Sequence, residues 1–310
     1  MTPKIEILTL SYSGDLEVCR LLCQSIDRFV PEGITHRLIV PRADLALFAP
    51  LAGPNRRIEA QDELLPAWFR RVPMPPPKWR KRLKLPRRDV YVTPFSLPVR
   101  GWIAQQIMKI SAVAGSTADI VVHVDSDNVF IRPLALDRIH RDGLTRIYRD
   151  KHPVGLETHA RWQKAAGRLL GLGEEAFYGG EYIDPFVVWK TEMTRKVIAR
   201  IEEVSGTHWV KTLARTQHFA EYVLYGVYAD RIEGLDAARL RPENFSLCHS
   251  VWHRGFGADD EIDAFVGAVE PHHQTCLFQS TVTEHMESRH AVFARVTEAA
   301  ARQDEAKLHA

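Results

Sequence analysis

The sequence predicts an α/β fold in which a mostly parallel central sheet is flanked by helices within a single large domain. Two observations support this prediction. Runs of strand length alternate with amphipathic helical stretches over the first hundred residues, which is typical of strand–helix–strand units. The run from Ile120 to Val124 is apolar apart from His123, as expected for a strand that is buried on both faces of a sheet.

The first half of the chain contains the strands of this sheet. Strands are predicted at residues 5–11, 36–40 and 57–60, with a helix at 15–29 and a short helix at 41–47. A further helix is predicted at 98–114, with Pro98 in its first turn, where the missing N–H has no intrahelical partner to lose. This helix leads through Gly115 into the strand at 120–124.

The second half alternates less regularly. Strands are predicted at 146–149, 244–249 and 273–278, and helices at 157–170, 191–204 and 217–228. The tail at 281–309 is rich in Ala, Glu and Arg, which favours a terminal helix. We therefore expect one domain over residues 1–280, with an insertion at 70–94, followed by a helical tail over 281–310.

Composition places the chain among soluble globular proteins, with 45% hydrophobic and 26% charged residues. Its cysteines are too few to form a disulfide framework, which favours a reducing compartment. They are Cys19, Cys23, Cys248 and Cys276. The N-terminal segment is too short and too acidic for a signal peptide, and no apolar stretch is long enough to span a bilayer. These features predict a cytoplasmic protein.

The insertion is strongly basic, although the net charge of the chain is only +2. Nine basic residues and no acidic residue lie between Arg70 and Arg88, interleaved with prolines and Trp79. Such a run is either a solvated loop or a surface that docks on an anionic membrane or holds a charged acceptor. Peripheral contact with the inner membrane face is therefore expected through 70–88. No nucleic-acid-binding motif accompanies the cluster, so nucleic acid is not an expected partner.

The strongest functional signal follows the strand at 120–124. Asp125, Ser126 and Asp127 come directly after it, at the edge of the sheet where α/β proteins bind their ligands. Two carboxylates in this position supply hard oxygen ligands for a divalent cation, whose other ligands can come from a diphosphate. The same residues, with Asn128, are also good turn formers.

Two other functions are compatible with this motif. An apolar strand followed by Asp125, one residue and Asp127 also resembles the first motif of haloacid-dehalogenase-type phosphatases, in which Asp125 would be the nucleophile and Asp127 the general acid. Asp259 and Asp260 could then complete a magnesium site. In the third interpretation the chain is a non-catalytic basic module, with the aspartates only in a turn.

The order of these signals resembles glycosyltransferases of the GT-A fold, of the bacterial polysaccharide and glycogenin-like type. The resemblance rests on Asp125-Ser126-Asp127, on the end of the first strand at 11–15, on the helix before the strand at 120–124, and on the segments 180–189 and 219–222. It implies a hexosyltransferase-like enzyme that moves a sugar from a UDP- or GDP-linked donor to a polysaccharide, a glycolipid or another saccharide acceptor. Mn²⁺ or Mg²⁺ is the implied cofactor.

The resemblance also implies roles for particular residues. The donor nucleotide would be bound by residues at the end of the first strand, on the helix before the strand at 120–124, and in the metal motif. These residues are Ser11, Tyr12, Asp15, Gln105, Lys109 and Ser126. The metal would be bound by Asp125 and Asp127, with His273 or His249 as third ligand. Glu221 is the first candidate for a catalytic base and Asp184 the second, if the reaction inverts the sugar; a retaining reaction needs no such base.

Aromatic side chains offer surfaces on which a sugar ring could stack. The candidates in the second half of the chain are Trp162, Tyr178, Tyr182, Trp189 and Trp252. Trp189 follows Val187 and Val188 and is expected in the core.

Overall fold

A computed structural model describes residues 2–73, 75, 79, 82, 89–252, 256, 259–278 and 286–308. Its centre is a five-stranded sheet with the order β11-β7-β1-β2-β3. These strands are β1 (Ile5–Leu10), β2 (Thr35–Val40), β3 (Arg56–Ala60), β7 (Ile120–Val124) and β11 (Phe186–Lys190). All neighbours are parallel except β11, which is antiparallel to β7. The predicted α/β fold with a mostly parallel sheet is therefore confirmed.

Three small sheets surround the central one. The first contains β4 (Arg70–Arg71), β5 (Val90–Val92) and β6 (Val99–Arg100), all antiparallel. The second contains β9 (His140–Arg141), β10 (Leu144–Tyr148) and β12 (Leu240–Glu243). The third contains β8 (Asn128–Phe130), β13 (Cys248–Val251) and β14 (Thr275–Phe278). Because β8 follows β7 after only three residues, the third sheet is joined to the central one at the Asp125–Asp127 turn.

Helices cover the faces of the sheet. In chain order they are α1 (Leu16–Phe29), α2 (Leu45–Phe48), α3 (Gly101–Ala114), α4 (Leu136–Ile139), α5 (Glu157–Leu170), α6 (Thr191–Ser205), α7 (Trp209–Arg215), α8 (Glu221–Tyr228), α9 (Asp259–Gly267) and α10 (Met286–Leu308). A π-helical turn (Ala229–Glu233) extends α8. None of the helices within the described residues has a stretch long and apolar enough to cross a bilayer.

Several predicted boundaries differ from those in the structure. The helix predicted at 98–114 begins at Gly101, because Val99 and Arg100 pair with β5 and the Gly101 N–H donates to the carbonyl oxygen of Asp89 (2.7 Å). The helix predicted at 217–228 begins four residues later, at Glu221, and the strand predicted at 244–249 lies at Cys248–Val251. At residues 99–100 strand pairing overrode the local helical pattern.

The basic insertion is only partly described. Its first residues form β4, where the guanidinium of Arg71 pairs with Asp89 (2.6 Å). Its other basic residues, Arg82 excepted, lie outside the described residues: Lys78, Arg80, Lys81, Lys84, Arg87 and Arg88. Trp79 is 51% exposed, with the Arg82 guanidinium 5.6 Å from the centre of its ring.

The terminal helix α10 packs against the third small sheet. Val292, Phe293 and Val296 are buried in one cluster with Val129 and Ile131 on the β8 segment. The side chain of Arg132, which follows β8, also donates to Asp304 (2.7 Å). The helix predicted for the tail therefore covers the strand that follows the Asp125–Asp127 turn.

Candidate active site

The two aspartates lie where β7 ends. Every residue of β7 is buried, whereas Asp125 and Asp127 are half-buried. The Asn128 N–H donates to the carbonyl oxygen of Asp125 (3.1 Å), which closes a tight turn into β8. The turn interpretation is therefore correct for the backbone, and it leaves the 38% exposed side chain of Asp125 accessible at the edge of the sheet.

The end of β1 lies beside this turn. The β1–β7 register pairs Leu8 with His123, which places Leu10 level with Asp125. The hydroxyl of Ser126 donates to the carboxylate of Asp15 (3.2 Å), so two predicted nucleotide contacts are joined directly.

The other residues predicted to contact the nucleotide differ in accessibility. Ser11 is buried and its N–H donates to the Ile39 carbonyl oxygen (2.9 Å), while Tyr12 is 51% exposed above the same edge. Gln105 is half-buried on α3, one turn before Lys109. Of these three residues, Tyr12 and Gln105 have side chains that a ligand can reach.

Lys109 joins the aspartate turn to α8. Its ammonium group donates to the carboxylate of Asp125 (3.1 Å) and to the hydroxyl of Tyr222 (2.7 Å), and it lies 3.3 Å from Oε1 of Glu221. A lysine has three N–H donors, and these three partners use all of them. The side chain is only 9% exposed. Lys109 is therefore placed to hold protein side chains, whereas the sequence predicted a contact with donor phosphates.

The charges around Lys109 shift several pKa values. Burial alone lowers the pKa of Lys109, but Asp125, Tyr222 and Glu221 outweigh it and hold the pKa well above its usual value. Burial raises the pKa of Glu221, and the nearby Lys109 only partly opposes this. Burial likewise raises the pKa of Tyr222, which stays a neutral hydroxyl. The site therefore contains a permanent cation beside a carboxyl group of increased basicity.

Glu221 owes its position to a residue that the sequence did not single out for this role. Gln106 on α3 is 2% exposed, and its Oε1 accepts the backbone N–H of Glu221 (2.9 Å) at the beginning of α8. Glu221 therefore lies where the N-terminal end of a helix favours a carboxylate. An amide carries no charge, so nothing in the local pattern of α3 distinguishes Gln106 from Gln105.

Asp184 lies away from this group. It is 4% exposed, just before β11, and its carboxylate accepts the Phe186 N–H (3.4 Å). Burial raises the pKa of Asp184 to about 7, against the hydrogen bond from Ser246 and the charge of Arg146. Of the two carboxylates predicted as bases, the structure brings only Glu221 to Lys109 and Asp125.

The structure places His273 on the side of β14 away from the two aspartates, and its role as a metal ligand stays a prediction. In the β8–β14 pairing Leu277 lies opposite Asn128, and His273 precedes the first residue of β14 by two positions, away from the turn. Its Nδ1 accepts the N–H of Glu270 (2.9 Å). The alternative ligand, His249, contacts the carbonyl oxygen of Phe265 through Nε2 (2.8 Å).

The remaining donor set can still hold a divalent ion. No group of three or more His, Cys, Asp or Glu side chains arranged to bind a metal occurs in the part of the chain that the structure describes. Mg²⁺ and Mn²⁺ are commonly held by one or two carboxylates, with water and substrate phosphates as the other ligands. Asp125 and Asp127 provide that number of carboxylates on one exposed turn.

Three solved structures to which this chain is similar are glycosyltransferases. Mouse xyloside xylosyltransferase 1, in its apo form, is similar over 89% of this chain and 97% of its own, with 11% identity and a TM-score of 0.48. An active-site mutant of LgtC is similar over 93% and 95%, with 13% identity and a TM-score of 0.45. Glucosyl-3-phosphoglycerate synthase from Mycobacterium tuberculosis, solved with Mn²⁺, UDP and glucosyl-3-phosphoglycerate, is similar over 85% and 76%, with 16% identity and a TM-score of 0.38.

No curated protein has a significantly similar sequence. One family model matches residues 5–295, which is nearly the whole chain. The protein therefore belongs to the family of unknown function DUF6492.

Proposed function

We propose that this protein is a metal-dependent glycosyltransferase of the GT-A type, which moves a sugar from a UDP- or GDP-linked donor to a saccharide or glycolipid acceptor. The observation that carries this proposal is the half-exposed Asp125–Asp127 turn at the end of β7, backed by the buried Lys109–Glu221 pair. The site thus combines ligands for a cation with a separate basic carboxylate. These two functions are what an inverting transfer of a sugar from a diphosphate requires.

Asp125 and Asp127 would hold the ion, which stabilises the negative charge that develops on the departing nucleoside diphosphate. Tyr12, Asp15 and Ser126 lie along the same edge and are assigned to the nucleotide, together with Gln105, which lies one turn before Lys109 on α3. Lys109 is assigned as a positioning residue, since its donors are already used within the protein.

Glu221 is assigned as the base that accepts the proton of the acceptor hydroxyl. Its pKa is raised by burial, so it binds a proton more readily than an ordinary glutamate. Lys109 lies 3.3 Å away and fixes the direction of its carboxylate. This assignment corresponds to an inverting reaction.

The experiment measures the thermal stability of the protein with UDP or GDP, each with and without Mn²⁺. A ligand that binds the folded state at about 100 times its Kd adds about 2.7 kcal/mol, so one nucleotide is expected to raise Tm only when Mn²⁺ is present. Asp125→Asn and Asp127→Asn are expected to abolish this shift, and the matched control Asp260→Asn, at an exposed aspartate of α9, to keep it. An unchanged Tm in wild type with both nucleotides would contradict the proposal.

The same variants separate the transferase from a phosphatase. A phosphatase that uses Asp125 as its nucleophile is expected to hydrolyse p-nitrophenyl phosphate with Mg²⁺ and to lose this activity in Asp125→Asn. The transferase should not hydrolyse this ester.

We further propose that the basic segment 70–88 docks the enzyme on an anionic membrane. Trp79 and Arg82 support this, since the indole ring is 51% exposed beside the guanidinium. Co-sedimentation with vesicles that contain anionic lipid should fall as salt is raised and should be absent with neutral vesicles.

A further inference from the structure

A group of half-buried aromatic rings lies between α3 and α5. The rings of Trp102 and Trp162 have centroids 5.7 Å apart and planes tilted by 32°. The ring of His159, one turn before Trp162, lies 4.8 Å from it. We call these three side chains the aromatic platform. All three are partly accessible to solvent.

The platform presents hydrogen-bonding groups that the protein does not use. Nδ1 of His159 lies 2.9 Å from Oε2 of Glu181, whose side chain is 5% exposed. Because Nδ1 is engaged with Glu181, Nε2 is the ring nitrogen left for a ligand. Within the described residues, no hydrogen bond forms to Nε2 of His159 or to the indole N–H of Trp102 or Trp162. One imidazole nitrogen and two indole N–H donors therefore lie beside an apolar surface.

The platform is connected to the candidate active site through α3. Trp102 precedes Lys109 by seven residues on α3, which is two turns and about 10 Å along the same face of the helix. Gln106, between them, binds the backbone of Glu221. The segment with Glu181 leads within five residues to Phe186, which pairs with Val124 beside Asp125.

The other aromatic candidates are less suitable. Tyr178, Tyr182 and Trp189 are 6%, 2% and 2% exposed, so no ring could stack on them. Trp252 is 41% exposed, but its indole N–H already donates to the hydroxyl of Ser250 (3.0 Å). Among these candidates within the described residues, the platform alone combines accessible rings with the helix that holds Lys109.

We propose that Trp102, Trp162 and His159 bind a pyranose ring of an oligosaccharide acceptor. A pyranose has an apolar face of C–H groups, which packs on indole rings, and an edge of hydroxyls, which can both donate and accept hydrogen bonds. Ligand sites commonly combine aromatic walls with a few fixed polar groups in this way. At about 10 Å from Lys109 the platform would bind a ring beyond the one that receives the new sugar.

As an acceptor subsite this inference rests on the proposed function, whereas saccharide binding by itself does not. The test therefore uses binding. Wild type is applied to an array of neutral oligosaccharides of hexoses and N-acetylhexosamines, and the strongest binder is titrated by isothermal calorimetry. We expect Trp162→Ala and Trp102→Ala each to weaken binding at least tenfold, and His159→Ala several-fold.

Two controls exclude a folding defect. Trp162→Phe keeps an aromatic ring and should retain more affinity than Trp162→Ala. Trp79→Ala removes an exposed indole outside the platform and should bind the oligosaccharide as wild type does. All variants should keep the Mn²⁺-dependent stabilisation by nucleotide. If wild type bound no oligosaccharide, or if both alanine variants bound as wild type does, the inference would be wrong.

The two proposals can fail separately. Oligosaccharide binding without any nucleotide effect would overturn the transferase and leave the platform as a saccharide site. A nucleotide effect without oligosaccharide binding would overturn the platform alone.

Discussion

At the scale of single residues, Lys109 is the centre of the site because one positive charge lies between two carboxylates. Its partners, Asp125 and Glu221, differ in exposure, with 38% and 7% of their side chains accessible. Solvent already screens the charge of Asp125, so Lys109 stabilises the carboxylate of Glu221 more than that of Asp125. A buried carboxylate that loses its partner is costly, or it takes up a proton.

We expect Lys109→Met to lower the free energy of unfolding by roughly 3 kcal/mol, because Glu221 is left without its partner in a buried site. The double variant Lys109→Met/Glu221→Gln should recover part of this loss. Lys164→Met, at an exposed position of α5, is the matched control and should change stability little. Urea denaturation at pH 7 measures the free energy of unfolding of wild type and of these three variants. No recovery in the double variant would contradict the pairing.

Asp184 predicts a pH dependence of stability. Its pKa is raised to about 7 in the folded protein, against 3.8 as its ordinary value. Between these values the folded state holds a proton that the unfolded state has lost, so stability falls as pH rises from about 4 to about 7 and is then flat. Between pH 5 and pH 8 the free energy of unfolding falls by about 3 kcal/mol for this reason.

Asp184→Asn should therefore stabilise the protein relative to wild type more at pH 8 than at pH 5. Because both proteins share every other titrating group, the difference between them isolates Asp184. Urea denaturation of both at the two pH values measures it. An equal difference at both pH values would show that the carboxyl group titrates normally.

At the scale of elements, α8 has to approach the segment before β11 very closely. Gly226 makes this possible, since a Cβ atom there would overlap the ring of Tyr182. The hydroxyl of Tyr182 donates to Asp230 (2.8 Å), which ties the end of α8 to the segment that carries Glu181. The position of Glu221 at the other end of α8 thus depends on close packing along the whole helix.

We expect Gly226→Ala to destabilise the protein by about 1–3 kcal/mol, although alanine is the better helix former by about 1 kcal/mol. Gly267→Ala in α9 is the matched control, since a Cβ atom there has nothing within 4 Å. It should be neutral or stabilising. Thermal unfolding distinguishes the two, and a neutral Gly226→Ala would show that the ring of Tyr182 can move aside.

Elements were predicted best where one local pattern decided the structure. The strand at 120–124 and the helix at 157–170 have the predicted bounds, because a buried apolar run and an amphipathic period each have a single local interpretation. Val99 and Arg100 were assigned to a helix because their partners in β5 are not adjacent in sequence. The short helix α7 was not predicted, because its sequence has no strong local helical pattern.

At the scale of the whole molecule, the two ends of the chain meet around the candidate active site. Strand β1 lies beside β7, and α10 packs on β8 immediately after the Asp125–Asp127 turn. Val296 is 0% exposed in that contact. The separate tail predicted at 281–310 remains a prediction, but its helix contributes to the support of the turn.

We expect Val296→Asp to lower the free energy of unfolding by roughly 3 kcal/mol, because it buries a charge without a partner. Glu298→Ala, two residues further on the exposed side of α10, should have little effect. Thermal unfolding of both variants provides the comparison. A wild-type Tm for Val296→Asp would mean that α10 does not cover β8 in solution.

The sequence alone was sufficient for the α/β class, because strand and helix patterns alternate over the first hundred residues. It was also sufficient for the strand before Asp125 and for the two carboxylates of the proposed metal site, because these are encoded in a few consecutive residues. Only the tertiary structure decided that Lys109 binds Asp125 and Glu221, that Gln106 holds α8, and that His273 lies away from the turn. These contacts join residues that are up to 115 positions apart. Which of them meet depends on strand register and helix packing, and neither is written in the local order of side chains.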